Sequence, residues 1–403
     1  MSSNERPISL AQAIAERDAA QAELDRLRSI PELRVGQRLR HVARRLRRGE
    51  QPTDPTATPS PGTTATTATE DSRLAPATAT ESSPVEPDDP HAWLSYVPAW
   101  VDTRFDSLAV QVVLFDNDAD EQLRLARAIA ATVRHARSTL DLGRIVLRYG
   151  DCSPEPCLDE TIQEAIEAVV AGVVDDVTFE HFGANLGSSG GSNALAERGD
   201  EAVIWVLNPD TYPAPDAAAR LLVALSVDGV GITEARQVPI EHPKAYDPIT
   251  GETSWAVGYS LMARRSVFDG VGGFDPHFFP MYCDDVDLSW RVRLAGSSVV
   301  HVPAACVVHD KPISMGGAVV WSDDAARWSH LARLWLAHRY GRADLAADFV
   351  ASVDPAVDPV AAEAIAIYEQ RVADGDVPPE LADAADVAHF TDGRLEPRRF
   401  GYA

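Results

Sequence analysis

Apolar and polar positions follow two rhythms along the chain, and between residues 108 and 210 the two alternate. "LAVQVVLF" (Leu108 to Phe115) is a short continuous apolar run, the pattern of a strand buried on both faces. In "DEQLRLARAIAATVRHARSTL" the apolar residues recur at helical spacing instead. "GRIVLRYGD" predicts a second strand, "CLDETIQEAIEAVVAGV" a second helix, "DVTFEHF" a third strand, "GGSNALAERG" the start of a third helix and "AVIWVLNPD" a fourth strand. Such alternation predicts an α/β fold with a mostly parallel sheet covered by helices on both faces, whose ligands bind at the carboxyl ends of the strands.

The flanks break this rhythm. Residues 8 to 30 place Leu10, Ala13, Ile14, Leu24, Leu27 and Ile30 among Ala, Glu and Arg, as in an amphipathic helix or a short coiled coil. "RVGQRLRHVARRLRRG" then carries seven arginines from Arg34 to Arg48 and no acid, with Leu39, Val42, Ala43 and Leu46 on one face. A basic amphipathic helix of this kind suits an anionic membrane surface or an acidic partner, and equally a pairing with the acidic body of the same chain. From 50 to 90 the chain is rich in Thr, Pro, Ala and Ser and short of large apolar residues, which predicts a disordered tether. The expected organisation is a helical arm (1–49), a linker (50–90), a catalytic body (91–340) and a helical extension (341–403).

Composition narrows the class. An apolar share of 45% allows a sizeable core, and a formal net charge of −25 argues against a general nucleic-acid binder. Four cysteines, Cys152, Cys157, Cys283 and Cys306, fall in no zinc spacing and read as free thiols. No signal-like segment and no charge-free apolar run of membrane-spanning length is visible, so the expected location is the cytoplasm, with peripheral attachment to the inner face of the plasma membrane through the arginine helix. Only two lysines occur, Lys244 and Lys311, which reads as a compositional habit.

The loops after the strands hold the candidate chemistry. "FDND" begins at Phe115, "YGDCSP" contains Asp151, "GANLGSSGGSN" runs from Gly183 to Asn193, and "NPDTYPAPD" from Asn208 to Asp216. A carboxylate such as Asp151 can accept from a nucleotide, and a glycine-rich turn opening a helix favours anionic groups; each can also be an ordinary cap or turn. The glycine segment is neither a Walker loop nor GxGxxG. Asp210 at the end of an apolar strand could serve a divalent cation bridging two phosphates, although "NPD" is also a good turn by composition. "MYCDDVDLSWRVRLAG" crowds Asp284, Asp285 and Asp287 before a helical stripe, where acids complement the helix dipole and where a base could equally be held.

Taken in order, "NLGSSGGSN", "LNPDTYPAPDAAARLL", "WAVGYSLMARRSVFDGVGGFDPHFFPMYCDDVDLSWRVRLAG" and "VPAACVVHDKPIS" resemble the family 2 glycosyltransferases of GT-A fold, particularly the rhamnosyltransferase-like branch. The resemblance runs from about Val110 to Tyr340. It implies inverting transfer from a nucleoside-diphosphate sugar to a glycan or lipid-linked acceptor, in cell-surface polysaccharide synthesis. It further implies donor contacts from Phe115, Asp151, Asn185, Gly187, Gly191, Asn193, Asn208 and Asp210, and manganese or magnesium at Asp210 and His309. The resemblance puts Asp285 in the general-base position, with Asp284 beside it, and Trp255 and Gly258 are expected to border the acceptor, where the Trp255 ring either stacks on a sugar or packs in the core. Asn208 replaces the first carboxylate of the family's DxD motif, leaving fewer charged ligands for the metal. Two other classes stay open: a sugar nucleotidyltransferase, which would want a basic loop after the first strand, and a non-catalytic sugar-nucleotide or glycan adaptor recruited by its arm.

Overall fold

The computed structural model describes residues 103–311 and 322–391, with Leu395 and Arg399. The predicted arm (1–49) and linker (50–90) lie outside the described residues, as do 312–321, which include the end of the "HDKPIS" motif.

The alternation read from the sequence forms as expected. Strand β1 (Arg104–Leu114) is followed by helix α1 (Ala119–Thr139), β2 (Asp141–Asp151), α2 (Glu160–Val170), β3 (Asp176–His181), α3 (Gly187–Ala196) and β4 (Val203–Leu207). Aspartates start the first two helices: Asp118 accepts from the amides of Asp120 and Glu121, and Asp159 from that of Ile162. After β4 come β5 (Thr211–Pro213), α4 (Ala217–Leu225), β6 (Val230–Val238), β7 (Ser260–Arg264), α5 (Arg265–Gly270), α6 (Asp284–Leu294) and β8 (Ser298–His309). Three helices close the described chain: α7 (Asp323–Arg339), α8 (Ala343–Ser352) and α9 (Pro359–Ala373).

The eight strands form one sheet in the order β3-β2-β1-β4-β7-β6-β8-β5. Strands β3, β2, β1 and β4 are parallel, as the helical crossovers between them require. The second half is more mixed than the sequence predicts: β7 runs antiparallel to both β4 and β6, and β5 antiparallel to β8. No helix lies between β6 and β7, so the chain turns back instead of crossing over. Strand β8 returns parallel to β6 after passing through α6.

Strand β4 shows why its sequence is apolar throughout. Val203, Trp205 and Leu207 face a core shared with α1 and α4, whereas Ile204 and Val206 face a second core with Phe268 of α5 and Leu288 and Val292 of α6. Both faces of the strand are therefore buried. A third core joins Trp290 of α6 to Leu331 and Trp335 of α7, Ala364 of α9, and Ala384 and Val387. Residues of the expected helical extension thus help form the wall behind α6. Among the described residues no helix is long and apolar enough to cross a membrane.

Candidate active site

The antiparallel return of β7 brings distant segments to one edge. Leu207 at the end of β4 pairs with Ser260 at the start of β7, and the amide of Asn208 donates to Tyr259 O over 3.0 Å. At the far end, His309 pairs with Thr211, so that the end of β8 meets the "NPD" turn.

There His309 Nε2 lies 3.1 Å from Asp210 Oδ1. The ring is buried, stacked on Tyr259 with centroids 5.3 Å apart. Its Nδ1 is 3.2 Å from Gln237 Oε1, and the Gln237 amide is oriented by its own Nε2 donating to Ile240 O over 2.6 Å. Gln237 therefore offers an acceptor to a proton on Nδ1, and Nε2 points at the Asp210 carboxylate. A proton on Nε2 or a cation between the two can join them. Burial pushes the Asp210 carboxyl up, but His309 and Lys311 reverse this and hold it below its ordinary value. Among the described residues no third His, Cys, Asp or Glu joins the pair in a metal-binding group. One imidazole and one carboxylate suit a divalent ion that takes its remaining ligands from a diphosphate.

The acidic pair sits at the mouth of α6. The cap position falls on Cys283, not on an aspartate, and makes no side-chain cap bond. Tyr282 (φ 64°) and Cys283 (φ 53°) are both left-handed, a conformation uncommon for large side chains and costing of order 1 kcal/mol or more each. This kink turns Asp284 and Asp285 into the first turn of the helix, with their half-buried side chains fixed from two directions. Asp285 Oδ2 accepts the Gly258 amide at 2.7 Å and Oδ1 the Val286 amide at 2.8 Å. Asp284 Oδ2 accepts the Ser188 hydroxyl at 3.2 Å. Burial raises the carboxyl pKa of both, and repulsion from Asp285 raises Asp284 further. The two carboxylate sets share one mouth. The Lys311 ammonium, its pKa lowered by burial, feels both Asp210 and Asp285, and the Tyr282 hydroxyl feels both Asp284 and Asp210.

The third aspartate of the motif has another task. Asp287 is fully buried and accepts from Arg291 at 2.8 Å, Arg339 at 2.9 Å and the Tyr340 hydroxyl at 3.2 Å. Arg339 also pairs closely with Asp275, tying "GGFDPHFF" to α6 and α7.

Several expected donor residues hold the fold around this mouth. Asn193 uses its amide on both backbone groups of Phe274, at 2.9 and 3.0 Å. Gly191 lies where a Cβ would come within 2.7 Å of Val113. Gly187 (φ +71°) allows α3 to approach Pro280, whose carbonyl oxygen a Cβ would meet at 2.4 Å. Two of the first-turn amides of α3 are engaged within the chain: Ser189 N donates to Pro280 O, and Gly187 N to the exposed Asn185 side chain over 3.0 Å. Asp151 likewise orders its own loop, accepting from the amides of Ser153 at 2.9 Å and Cys157 at 2.5 Å. Phe115 is 46% exposed beside that loop and leaves an open aromatic face. Of the two readings for Trp255 the structure shows core packing: at 5% exposure it is covered by the core behind α6 and by His242 and Lys244, so its ring offers no open stacking face.

Ser188, Gln237, Lys244 and Lys311 were missing from the sequence reading. For the lysines a signal existed, since the only two in the chain both exert a charge effect on Asp285.

No family model matches the chain. Over 70 residues, 17% of the chain, it is 46% identical to the N-acetylglucosaminyl-diphospho-decaprenol L-rhamnosyltransferase of Mycobacterium tuberculosis. Over 55 residues, 14% of the chain, it is 44% identical to rhamnosyltransferase WbbL of Escherichia coli. These segments span 22% and 20% of the two relatives' lengths. The resemblance to rhamnosyltransferases read from the motifs is thereby borne out. Among solved structures, the mannosyltransferase PcManGT of Pyrobaculum calidifontis, in complex with GDP-Man and Mn2+, overlaps 74% of this chain and 83% of its own, with a TM-score of 0.44 and 16% identity. GalNAc-T7 with UDP, GalNAc and Mn2+ overlaps 60% of this chain and 51% of its own, also with a TM-score of 0.44 and 16% identity.

Proposed function

We propose that the protein is an inverting glycosyltransferase of GT-A type, moving a deoxyhexosyl or hexosyl group from a nucleoside-diphosphate sugar to a hydroxyl of a glycan or lipid-linked acceptor. The observation that carries this reading is the shared mouth: an acidic pair held by Ser188 and Gly258, next to the Asp210–His309 pair. The segments shared with two rhamnosyltransferases add support.

An acceptor hydroxyl is a weak nucleophile at neutral pH unless a carboxylate takes its proton as the C–O bond forms. Asp285 fills that role better than Asp284. Its two amide donors, from Gly258 and Val286, favour the ionised form and fix both oxygens, whereas the Asp284 carboxyl is raised further by the Asp285 charge beside it.

A manganese or magnesium ion, held by Asp210 and His309, would neutralise charge developing on the diphosphate leaving group. Lys311 adds a fixed positive charge beside the same phosphates. Phe115 and the Asp151 loop border the nucleotide. The arginine helix (Arg34 to Arg48) attaches the enzyme to the anionic inner face of the plasma membrane, and no nucleic acid is involved.

The test is turnover with a panel of nucleoside-diphosphate sugars, with and without manganese. Asp285→Asn should lower turnover about a thousandfold while donor affinity changes less than about threefold. Full turnover in that variant would remove the assignment, and donor binding without turnover in the wild-type chain would favour an adaptor. Deleting 1–49 should abolish co-sedimentation with anionic vesicles; unchanged co-sedimentation would remove the membrane role.

A further inference from the structure

Behind Asp285 lies a second group of charges that the proposed chemistry does not use. Glu234 of β6 is 1% exposed, and its Oε1 takes Lys244 in a close ion pair and His301 Nδ1 at 2.8 Å. Lys244 also donates to Thr253 Oγ1 at 3.1 Å, and His301 Nε2 lies 3.2 Å from Glu241 Oε1. Burial pushes the Glu234 carboxyl up, but Lys244 and His301 more than reverse this, so it stays ionised. The cavity beside the group is about 10 Å³, room for one water at most, which excludes a ligand pocket. Stability alone is a poor reason for such a pair, since apolar residues of similar volume often serve a core as well.

The other oxygen of Glu234 supplies the reason. Three consecutive amides are each taken by a different acceptor: Ala256 N by Ser289 Oγ at 3.0 Å, Val257 N by Glu234 Oε2 at 2.5 Å, and Gly258 N by Asp285 Oδ2 at 2.7 Å. Ser289 in turn donates to Asp285 O at 2.6 Å. Glu234 therefore anchors the Ala256–Val257 peptide, the unit directly before the one whose amide aims at Asp285.

We propose that Glu234, with Lys244 as its counter-ion, is a positioning residue for Asp285, anchoring the backbone at Val257 one residue before the Gly258 amide that aims that carboxylate. The catalytic part of this inference rests on the reading of Asp285 as the base. The two charges also act on Asp285 in opposite senses: Glu234 raises its proton affinity and Lys244 lowers it. The other groups facing Asp285 are Asp284 and Cys283 at the mouth of its own helix and Lys311 after β8.

The test uses the full chain carrying 13C at aspartate carboxyl carbons, with the Asp285 signal assigned by its loss in Asp285→Asn. Glu234→Gln should move the Asp285 titration midpoint down, and Lys244→Met should move it up, each by about half a pH unit or more. The double variant, with a neutral pair of similar size, should return it near wild type and carries the test if either single variant fails to fold. Unchanged midpoints, shifts of the same sign, or a double variant displaced by more than about one unit would overturn the proposal. With any donor turned over, the acid limb of turnover should follow the same shifts. If Asp285→Asn keeps full turnover, the reading of the base falls while the titration result still decides the coupling.

Discussion

Ser188 and Asp284 stand 96 positions apart in the chain and meet as hydroxyl and carboxylate at 3.2 Å, fastening the glycine-rich helix α3 to the mouth of α6. Ser188→Ala removes this donor, so the Asp284 carboxyl should rise further above its ordinary range. Thermal unfolding should show a loss of about 1 kcal/mol. Under the proposed mechanism the acid limb of the turnover profile, set by Asp285, should stay in place or move to lower pH, because a neutral Asp284 repels it less.

Asp284→Asn should stabilise the protein at neutral pH. The folded carboxyl pKa lies above the unfolded value, so this group contributes stability below the unfolded pKa, and that contribution is lost as pH rises through the folded pKa. Removing the charge should therefore gain about 1 kcal/mol at pH 8, discounted for the half-buried position, and nothing near pH 4. Melting curves of variant and wild type between these limits check the sign.

Gln237→Leu leaves both suggested metal-binding side chains in place but removes the acceptor that orients the His309 ring. Manganese affinity, measured by paramagnetic resonance with a nucleoside diphosphate present, should fall by about tenfold. Donor binding without metal should be unchanged.

Arg339→Met removes one partner from two carboxylates, of which Asp287 has no exposure at all. Arg291 and Tyr340 still reach Asp287, so the expected loss is about 3 kcal/mol, the low end for breaking a buried pair. Denaturant unfolding measures it. Replacing Asp287 together with Arg339 should cost less than the sum of the single changes.

What could be read beforehand follows from how far each interaction reaches along the chain. Strands β1, β2 and β4 were legible because burial on both faces leaves a largely apolar run, and the acidic pair because its two members are adjacent in sequence, although the groups that hold them, Ser188 and Gly258, are not. The direction of β7 was not legible, since it depends on residues 239–259 forming no crossover helix. Asn193 and Asp151 have the right chemistry for ligand contacts, but their polar atoms bind backbone 81 and 6 positions away. Trp255 was placed correctly near the motif, yet its ring turned inward. The pairing of Lys244 with Glu234 depends on strands meeting in the sheet, which spacing does not encode.

The wall behind α6 limits how the chain may be shortened. Arg293 donates to Val387 O at 3.0 Å, the Leu381 amide to Arg339 O at 2.9 Å, and Ala384 and Val387 fill the core under Trp290. Ending an expressed fragment at Tyr340, where the family resemblance stops, would strip apolar cover from the helix that presents the acidic pair. A fragment intended for substrate screening should therefore retain residues through at least 391, even though none of the candidate active-site side chains lies beyond Lys311.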